Sequence, residues 1–121
     1  MKIIETENAP KAIGTYSQAV KVNGFLFISG QIPLDPSTME LVEGIENQIN
    51  QVFENINQIL KADGMDFSNV VKLSVLLEDL SHFEKVNEIM ASIFSKPYPA
   101  RAAYEVCLLY TSDAADDTSR V

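Results

Sequence analysis

The sequence of 121 residues predicts one α+β domain, a mixed β-sheet with two helices on one of its faces. Three observations predict this fold class. Two short apolar runs flank an Asn-Gly dipeptide, two longer segments repeat apolar residues at spacings of three and four, and a β-branched run separates those segments. The predicted order is therefore a β-hairpin, a helix, a strand, a second helix and a final strand.

The hairpin is predicted by the segments Ala19–Val22 and Phe25–Ile28. Between them lie Asn23 and Gly24, the dipeptide that favours a type I′ turn because both residues tolerate a positive φ. The amino-terminal residues Lys2–Glu5 are a candidate for an additional edge strand.

Two apolar stripes predict the helices. The first begins at Ile45 and ends before Gly64, which suits the position just beyond a helix carboxyl end. The second stripe consists of Phe83, Val86, Ile89, Met90, Ile93 and Phe94. Ser81 and Glu84 at its start have the S-x-x-E spacing that is typical of a capping box, and the Pro-containing segment Lys96–Pro99 ends the helix.

The segment Val70–Leu77 is apolar at nearly every position, so we expect a strand that is buried on both faces. Ala102–Val106 is the candidate for the last strand. Two helices cover only one face of such a sheet, and Phe25–Ile28 is also apolar on each face. A symmetric partner subunit is the economical cover for the second face, which predicts an oligomer.

The composition argues against several classes of protein. Lys+Arg 9 against Asp+Glu 17 gives a net charge of −8, which disfavours a nucleic-acid partner. One Cys and one His exclude a disulfide framework and a Cys/His zinc site within one chain. No signal peptide is visible and no apolar run approaches the roughly 18 residues of a membrane span, so we expect a soluble, cytoplasmic protein with no membrane partner.

Arg101 stands out among the residues that can carry chemistry, because it is the only Arg before the terminal segment. A guanidinium offers a rigid donor fork that holds a carboxylate through two hydrogen bonds, which Lys cannot do. The alternative is a surface ion pair of little energetic consequence. Both interpretations stay open from the residues alone, which contain no G-x-S-x-G elbow, P-loop or metal-spaced cluster.

Five separated segments carry a resemblance to a known family. They read AIGTYSQAV at 12–20, ISGQIP at 28–33, VVKLSVLLEDL at 70–80, FEKVN at 83–87 and YPARAAYEV at 98–106. With these motifs in register, the chain resembles the reactive-intermediate imine deaminase (Rid) family from about Ile3 to Val106. Older descriptions of that family include translation inhibitor and ribonuclease.

The resemblance implies a chorismate-mutase-like α+β subunit that forms a homotrimer, with sites in the clefts between subunits. It also implies a small-molecule substrate and hydrolysis without cofactor or metal. The substrates would be 2-enamine and 2-imine acids, such as 2-aminoacrylate, and the products would be 2-oxo acids and ammonia. That activity is the activity of a 2-iminobutanoate/2-iminopropanoate deaminase.

The resemblance also implies roles for individual residues. Arg101 matches the arginine that holds the substrate carboxylate, and Tyr16 matches the cleft tyrosine that packs on the substrate and helps to orient it. Ser29 and Gly30 match the loop that lines the cleft, and Asn87 matches a polar cleft residue. From the residues alone, half-buried packing for Tyr16, a loop hydroxyl for Ser29 and an exposed helix position for Asn87 stay open.

The chain departs from the family pattern in two places. Many members carry Cys two residues after the arginine, where this chain has Ala103, a change that bears on substrate preference. Members normally end with a strand of the kind E-I-E-A-I-A, which supplies a sheet strand and a Glu that helps to orient the water. No such segment follows Val106.

Residues 107–121 read CLLYTSDAADDTSRV and lack strand alternation. Cys107–Asp117 correspond to one reading frame of a widely used transposase sequencing adapter, so we interpret 107–121 as non-native adapter read-through. A natural variant terminus is the alternative. The native domain is then 1–106 without its last strand, with a net charge of −6, and we expect the chain as written to fold poorly or to aggregate.

Two other functions remain open, and a purely structural oligomer is a third alternative that leaves Arg101 and Tyr16 unexplained. A non-catalytic sensor would bind small 2-oxo acids through Arg101, and turnover of freshly generated 2-aminoacrylate would separate it from an enzyme. A ribonuclease or translation inhibitor would need affinity for RNA, which the acidic charge and the lack of a basic stripe disfavour.

Overall fold

The computed structural model describes residues 1–107, so the predicted tail lies outside the described residues except for Cys107. The strands are β1 (Lys2–Ile4), β2 (Ala19–Val22), β3 (Phe25–Ile28), β4 (Lys72–Leu77) and β5 (Ala100–Glu105), and the helices are α1 (Ile45–Ala62) and α2 (Phe83–Ile93). Short 3₁₀ turns precede β4 at Phe67–Asn69 and α2 at Leu80–His82. The predicted α+β order is confirmed, including the edge strand at the amino terminus.

The described strands form an antiparallel ladder and a parallel one. The antiparallel ladder has the order β1–β2–β3, and the parallel ladder pairs β4 with β5. Asn23 and Gly24 join β2 to β3 with φ values of 51° and 80°, so the positive φ predicted at both positions is confirmed. Parallel pairing of β4 and β5 is possible because α2 provides the crossover between them.

The helix ends confirm one prediction and correct another. Gly64 follows α1 with φ 70°, and its backbone N–H donates to the carbonyl oxygen of Lys61 at 3.0 Å. The predicted capping box of Ser81 and Glu84 is wrong. The Asp79 carboxylate instead accepts from the Ser81 backbone N–H at 2.8 Å, and the 3₁₀ turn that it caps leads into α2 at Phe83.

Both helices pack on the same side of the strands. A larger cluster of buried side chains joins α1, α2 and β4, and a smaller cluster joins α1 to β1 and β2. Helix α1 therefore spans both ladders. The larger cluster contains Ile49, Phe53, Leu77, Val86, Ile89, Met90 and Phe94, and the smaller contains Ile4, Ala9, Ala19 and Ile59.

The side of the strands away from the helices is apolar and exposed. Phe25 is 61% exposed, Phe27 is 60% exposed and Tyr104 is 53% exposed, and we call this surface, with Ile3 and Leu76, the open face. The prediction that β4 is buried on both faces is therefore wrong for a single chain. Alternate side chains of β4 pack against the core, but Leu76 points to the open face and is 37% exposed.

An apolar groove separates the two ladders. Its volume is about 370 Å³, and its walls are the segment Gly30–Pro33 after β3 and the strand residues Leu73–Leu77. Side chains of α1, including Ile49, Val52 and Ile56, form its floor. In residues 1–107 each of β3 and β4 pairs along one edge only, and we call the space between them the inter-ladder groove.

Within the described residues, no helix combines the length and apolar character that crossing a membrane would require.

Candidate functional site

Arg101 projects from β5 toward helix α2. The parallel register places Arg101 beside Leu73, whose side chain packs against the helix-side core. Because directly paired residues on neighbouring strands share a face of the sheet, Arg101 leaves β5 on the helix side. Its own side chain remains exposed at the edge of the ladder.

Three side chains of α2 surround the Arg101 guanidinium. The Nη1 atom donates to Oδ1 of Asn87 at 2.5 Å and to Sδ of Met90 at 3.5 Å. The Cζ atom lies 4.6 Å from the ring centroid of Phe83. Phe83, Asn87 and Met90 are spaced i, i+4 and i+7, which aligns them on one face of the helix. We call these four residues the arginine cluster.

Tyr16, Ser29 and Gly30 lie in a different part of the chain, around β2 and β3. The Ser29 hydroxyl donates to the carbonyl oxygen of Ser17 at 2.5 Å, and the Ser29 N–H donates to the carbonyl oxygen of Gln18 at 2.9 Å. These bonds hold the segment after β3 against the segment before β2. We call residues 16–18 together with 29–30 the tyrosine loop.

The buried side chain of Gln18 anchors the tyrosine loop. Its Nε2 donates to the carbonyl oxygens of Thr6, Ala9 and Pro10, and its Oε1 accepts from the Thr6 N–H at 2.7 Å. Every polar atom of this side chain therefore has a partner, as a buried amide requires. Half-buried Tyr16 lies next to it and lines an open depression of about 750 Å³.

The predicted site residues fall into two groups in a single chain. The structure brings Arg101 and Asn87 together, and it bonds Ser29 to Ser17, the residue after Tyr16, whereas Gly30 lines the inter-ladder groove. Within the described part of the chain, no hydrogen bond or aromatic contact joins one group to the other. The sequence left open an exposed helix position for Asn87, and Asn87 is indeed exposed in the structure. Its side chain nevertheless accepts a hydrogen bond from Arg101.

Phe83 and Met90 are the neighbours of Arg101 that the sequence interpretation missed. Both were assigned to the apolar stripe of α2, where Met90 is indeed buried. Their spacing from Asn87 was the available signal, because positions i, i+4 and i+7 of a helix share one face. Without the register of β5, however, nothing indicated that Arg101 lies over that face.

The arginine cluster is suited to binding an anion with a planar, two-oxygen group. Two of its side chains occupy Nη1, and the guanidinium fork has five N–H donors in all. The next helix-side position on β5 is Ala103, which offers only a methyl group. Among residues 1–107, no group of three or more His, Cys, Asp or Glu side chains is arranged to hold a metal ion.

Comparisons with known proteins give the family. The family model described as Endoribonuclease L-PSP matches residues 6–115. The chain is 52% identical over 109 residues to a RutC family protein of Pyrococcus horikoshii, covering 89% of this chain and 86% of that protein. It is 50% identical to the human 2-iminobutanoate/2-iminopropanoate deaminase, covering 89% of this chain and 80% of that enzyme.

A solved structure agrees with these relatives. The crystal structure of RidA from an Antarctic Psychrobacter bacterium superposes with a TM-score of 0.87 at 49% sequence identity, covering 94% of this chain and 91% of that one. Fold, sequence and motifs thus agree over most of the chain. The chain belongs to the Rid family, whose family model carries the description Endoribonuclease L-PSP.

Proposed function

We propose that this domain hydrolyses reactive 2-enamine and 2-imine acids, such as 2-aminoacrylate, to 2-oxo acids and ammonia. The observation that carries the proposal is the Arg101 guanidinium, held on α2 with donors to spare, in a chain about half identical to proteins named as such deaminases. The carboxylate is the feature common to these substrates, and an arginine fork is the side chain that fits it best.

The reaction needs positioning more than it needs a nucleophilic side chain. Protonation of an enamine at C3 gives the 2-iminium ion, which also forms when the nitrogen of a 2-imine is protonated, and C2 of this ion is electrophilic. Water then forms a C–O bond at C2 while the C=N π electrons move to nitrogen, and one proton of the added water passes to that nitrogen. The C–N bond breaks and ammonia leaves as the oxygen forms the C=O bond, and loss of the remaining hydroxyl proton gives the 2-oxo acid. A bound carboxylate fixes C2 relative to the water.

In this proposal Arg101 binds the carboxylate and Asn87 holds the guanidinium from the opposite side. Tyr16 packs on the substrate and orients it, while Ser29 and Gly30 line the cleft. The bonds from Ser29 to the residues beside Tyr16 support this role, because they fix the loop relative to the tyrosine.

We infer that a complete site combines the arginine cluster of one subunit with the tyrosine loop of its neighbour in a homotrimer. Two observations support this arrangement. In the described part of one chain no hydrogen bond or aromatic contact joins the two groups, and the open face presents exposed Phe25, Phe27 and Tyr104. An exposed apolar patch of this kind marks an interaction surface, and closed symmetric assembly covers it.

We also propose that the native domain is residues 1–106 and lacks its last strand, with 107–121 as adapter read-through. The inter-ladder groove supports a missing strand, because it has an apolar floor and lies between two strands that each pair along one edge only. The family-model match reaches residue 115, nine residues into this segment, so sequencing of the locus from an adapter-free library is the deciding test. A genomic read that continues through these codons would contradict the read-through.

Turnover of 2-aminoacrylate, generated in the cuvette by a pyridoxal-phosphate enzyme, tests the proposed activity. We expect the rate of pyruvate formation to rise in proportion to added protein for the strand-completed chain, in which a polar loop and the family-type strand Glu-Ile-Glu-Ala-Ile-Ala replace residues 107–121. Binding of 2-oxobutanoate without such a rise would favour the sensor instead. RNA affinity tighter than micromolar, with a steep salt dependence, would favour the ribonuclease that the family description names. The cytoplasmic location stays a prediction.

A further inference from the structure

We propose that Phe83 is a positioning residue that fixes the Arg101 guanidinium and leaves its Nε–Nη2 edge for the substrate carboxylate. This inference rests on the proposed function for the identity of the bound anion, but the orientation of the guanidinium rests on the contacts of α2. Neither Phe83 nor Met90 is among the site residues that the resemblance implies.

The ring of Phe83 limits where the guanidinium can move. With Cζ 4.6 Å from the ring centroid, the cation lies over the π face, where the ring quadrupole attracts it. Arg side chains are otherwise long and flexible, so an unsupported guanidinium at an exposed strand edge would lose considerable rotamer entropy when a ligand binds. Because the contact with the Phe83 ring already restricts the Arg101 side chain, less rotamer entropy is lost when the ligand binds.

The other two members of the arginine cluster fix the rotation of the guanidinium within its plane. Asn87 Oδ1 and Met90 Sδ both accept from Nη1, and buried Met90 is itself held in the core. Both hydrogen bonds that the Arg101 side chain donates within residues 1–107 therefore come from Nη1. The pair of parallel N–H groups that remains is the one from Nε and Nη2, which matches the two oxygens of a carboxylate.

The spacing of these residues makes the cluster a single unit. Phe83, Asn87 and Met90 lie on one face of α2 over two helical turns, so one rigid element sets both the stacking plane and the in-plane rotation. Arg101 itself comes from β5, which the parallel ladder with β4 fixes along its whole length. The site thus rests on regular secondary structure at both ends.

Nuclear magnetic resonance of the strand-completed chain labelled with ¹⁵N-arginine tests the positioning directly, because Arg101 is its only arginine once residues 107–121 are replaced. We expect the Arg101 side-chain protons to be shifted upfield by the Phe83 ring, to lose that shift in Phe83→Leu and to keep it in Phe83→Tyr. Addition of 2-oxobutanoate should move the Arg101 Nε–Hε signal. An unchanged Arg101 spectrum in Phe83→Leu would overturn the role of Phe83, and a carboxylate response confined to the Nη groups would overturn the assigned edge.

Affinity and kinetics supply the functional readout. Phe83→Leu should weaken 2-oxobutanoate binding and raise KM about two- to fivefold, with kcat nearly unchanged, and Phe83→Tyr should restore both. Phe67→Leu is the matched control, because Phe67 makes edge-to-face contacts with Phe53 and Phe94, whereas the aromatic contact of Arg101 is with Phe83. Equal effects of Phe83→Leu and Phe67→Leu would overturn the inference. A strand-completed chain with Phe83 and Arg101 unchanged that binds 2-oxobutanoate but never deaminates would instead refute the proposed function.

Discussion

The arginine cluster and the tyrosine loop are built to different degrees of completeness within one chain. Arg101 has an aromatic face, an amide and a thioether around it, all from one helix. The tyrosine loop is equally well anchored by Gln18, yet Tyr16 faces an open depression. The difference teaches that each half is anchored within one chain, and that the proposed intersubunit site would supply the approach of the two halves.

A similar contrast separates the two ladders. The parallel ladder of β4 and β5 and the antiparallel ladder of β1 to β3 share α1 as a common support, but the groove between them remains open. We therefore expect stability and catalysis to depend on different parts of the molecule. In the proposed account, a strand in the groove joins the two ladders into one sheet, and the arginine cluster sets the affinity for substrate.

Filling the groove should give the largest change in stability. We expect a chain in which a polar loop and the strand Glu-Ile-Glu-Ala-Ile-Ala replace residues 107–121 to gain about 3–6 kcal/mol in the free energy of unfolding, because two Ile side chains become buried. Chemical denaturation measures this gain. The matched control carries Pro in place of both Ile, which cannot pair in an interior strand. If the chain as written proves equally stable and equally active, no strand is missing.

Removal of the guanidinium should give the largest change in activity at unchanged fold. We expect Arg101→Ala to lower kcat/KM about 100-fold, because a bound carboxylate would lose its charged partner. Arg101→Lys should retain part of the charge effect but lose the fork, at a cost of about tenfold. Steady-state deamination of 2-aminoacrylate measures both variants.

Lys85→Ala is the control for charge alone. Lys85 also lies on α2 and pairs with Glu88 at 3.1 Å, and this contact raises the pKa of Lys85. Because an exposed pair contributes little, the variant should behave as wild type. A comparable loss of activity in Lys85→Ala and Arg101→Ala would show that substrate binding depends on positive charge near α2 in general and not on the arginine fork.

The cap that begins the 3₁₀ turn before α2 should give a smaller change in stability than the groove. The backbone N–H and then the side chain of Ser81 lower the pKa of Asp79 by hydrogen bonding its charged form. A lowered pKa means that Asp79 stabilises the fold above its unfolded pKa of about 3.9, and that this contribution is lost as the pH falls through the folded value. Asp79→Ala should therefore lower Tm by a few degrees at pH 7, and the difference from wild type should shrink below about pH 4. Asp79→Asn keeps a hydrogen-bond acceptor, so its Tm should fall less than that of Asp79→Ala. If the difference in Tm between Asp79→Ala and wild type does not change with pH, the ionised carboxylate is not what caps the turn.

The sequence predicted the elements better than their environments. Periodicity predicted both helices, and Asn23-Gly24 predicted the hairpin, because these signals are local. The cap at Asp79 was missed because a 3₁₀ turn displaced the helix start from Ser81. The apolar run at β4 predicted burial on both faces, but burial depends on the assembled neighbours and one chain covers only one face. The stacking of Phe83 on Arg101 required the pairing of β5 with β4, which a single sequence does not specify.

The central claim is that one site takes Arg101 from one subunit and Tyr16 from another, and mixing inactive variants tests it most directly. Strand-completed chains carrying Arg101→Ala and Tyr16→Ala are unfolded together in equal amounts and refolded as mixed trimers. The account predicts that about a quarter of the sites regain both residues, so deaminase activity should rise to about that fraction of the unsubstituted protein. Activity of the mixture that stays at the level of the two variants measured separately would contradict a site shared between subunits.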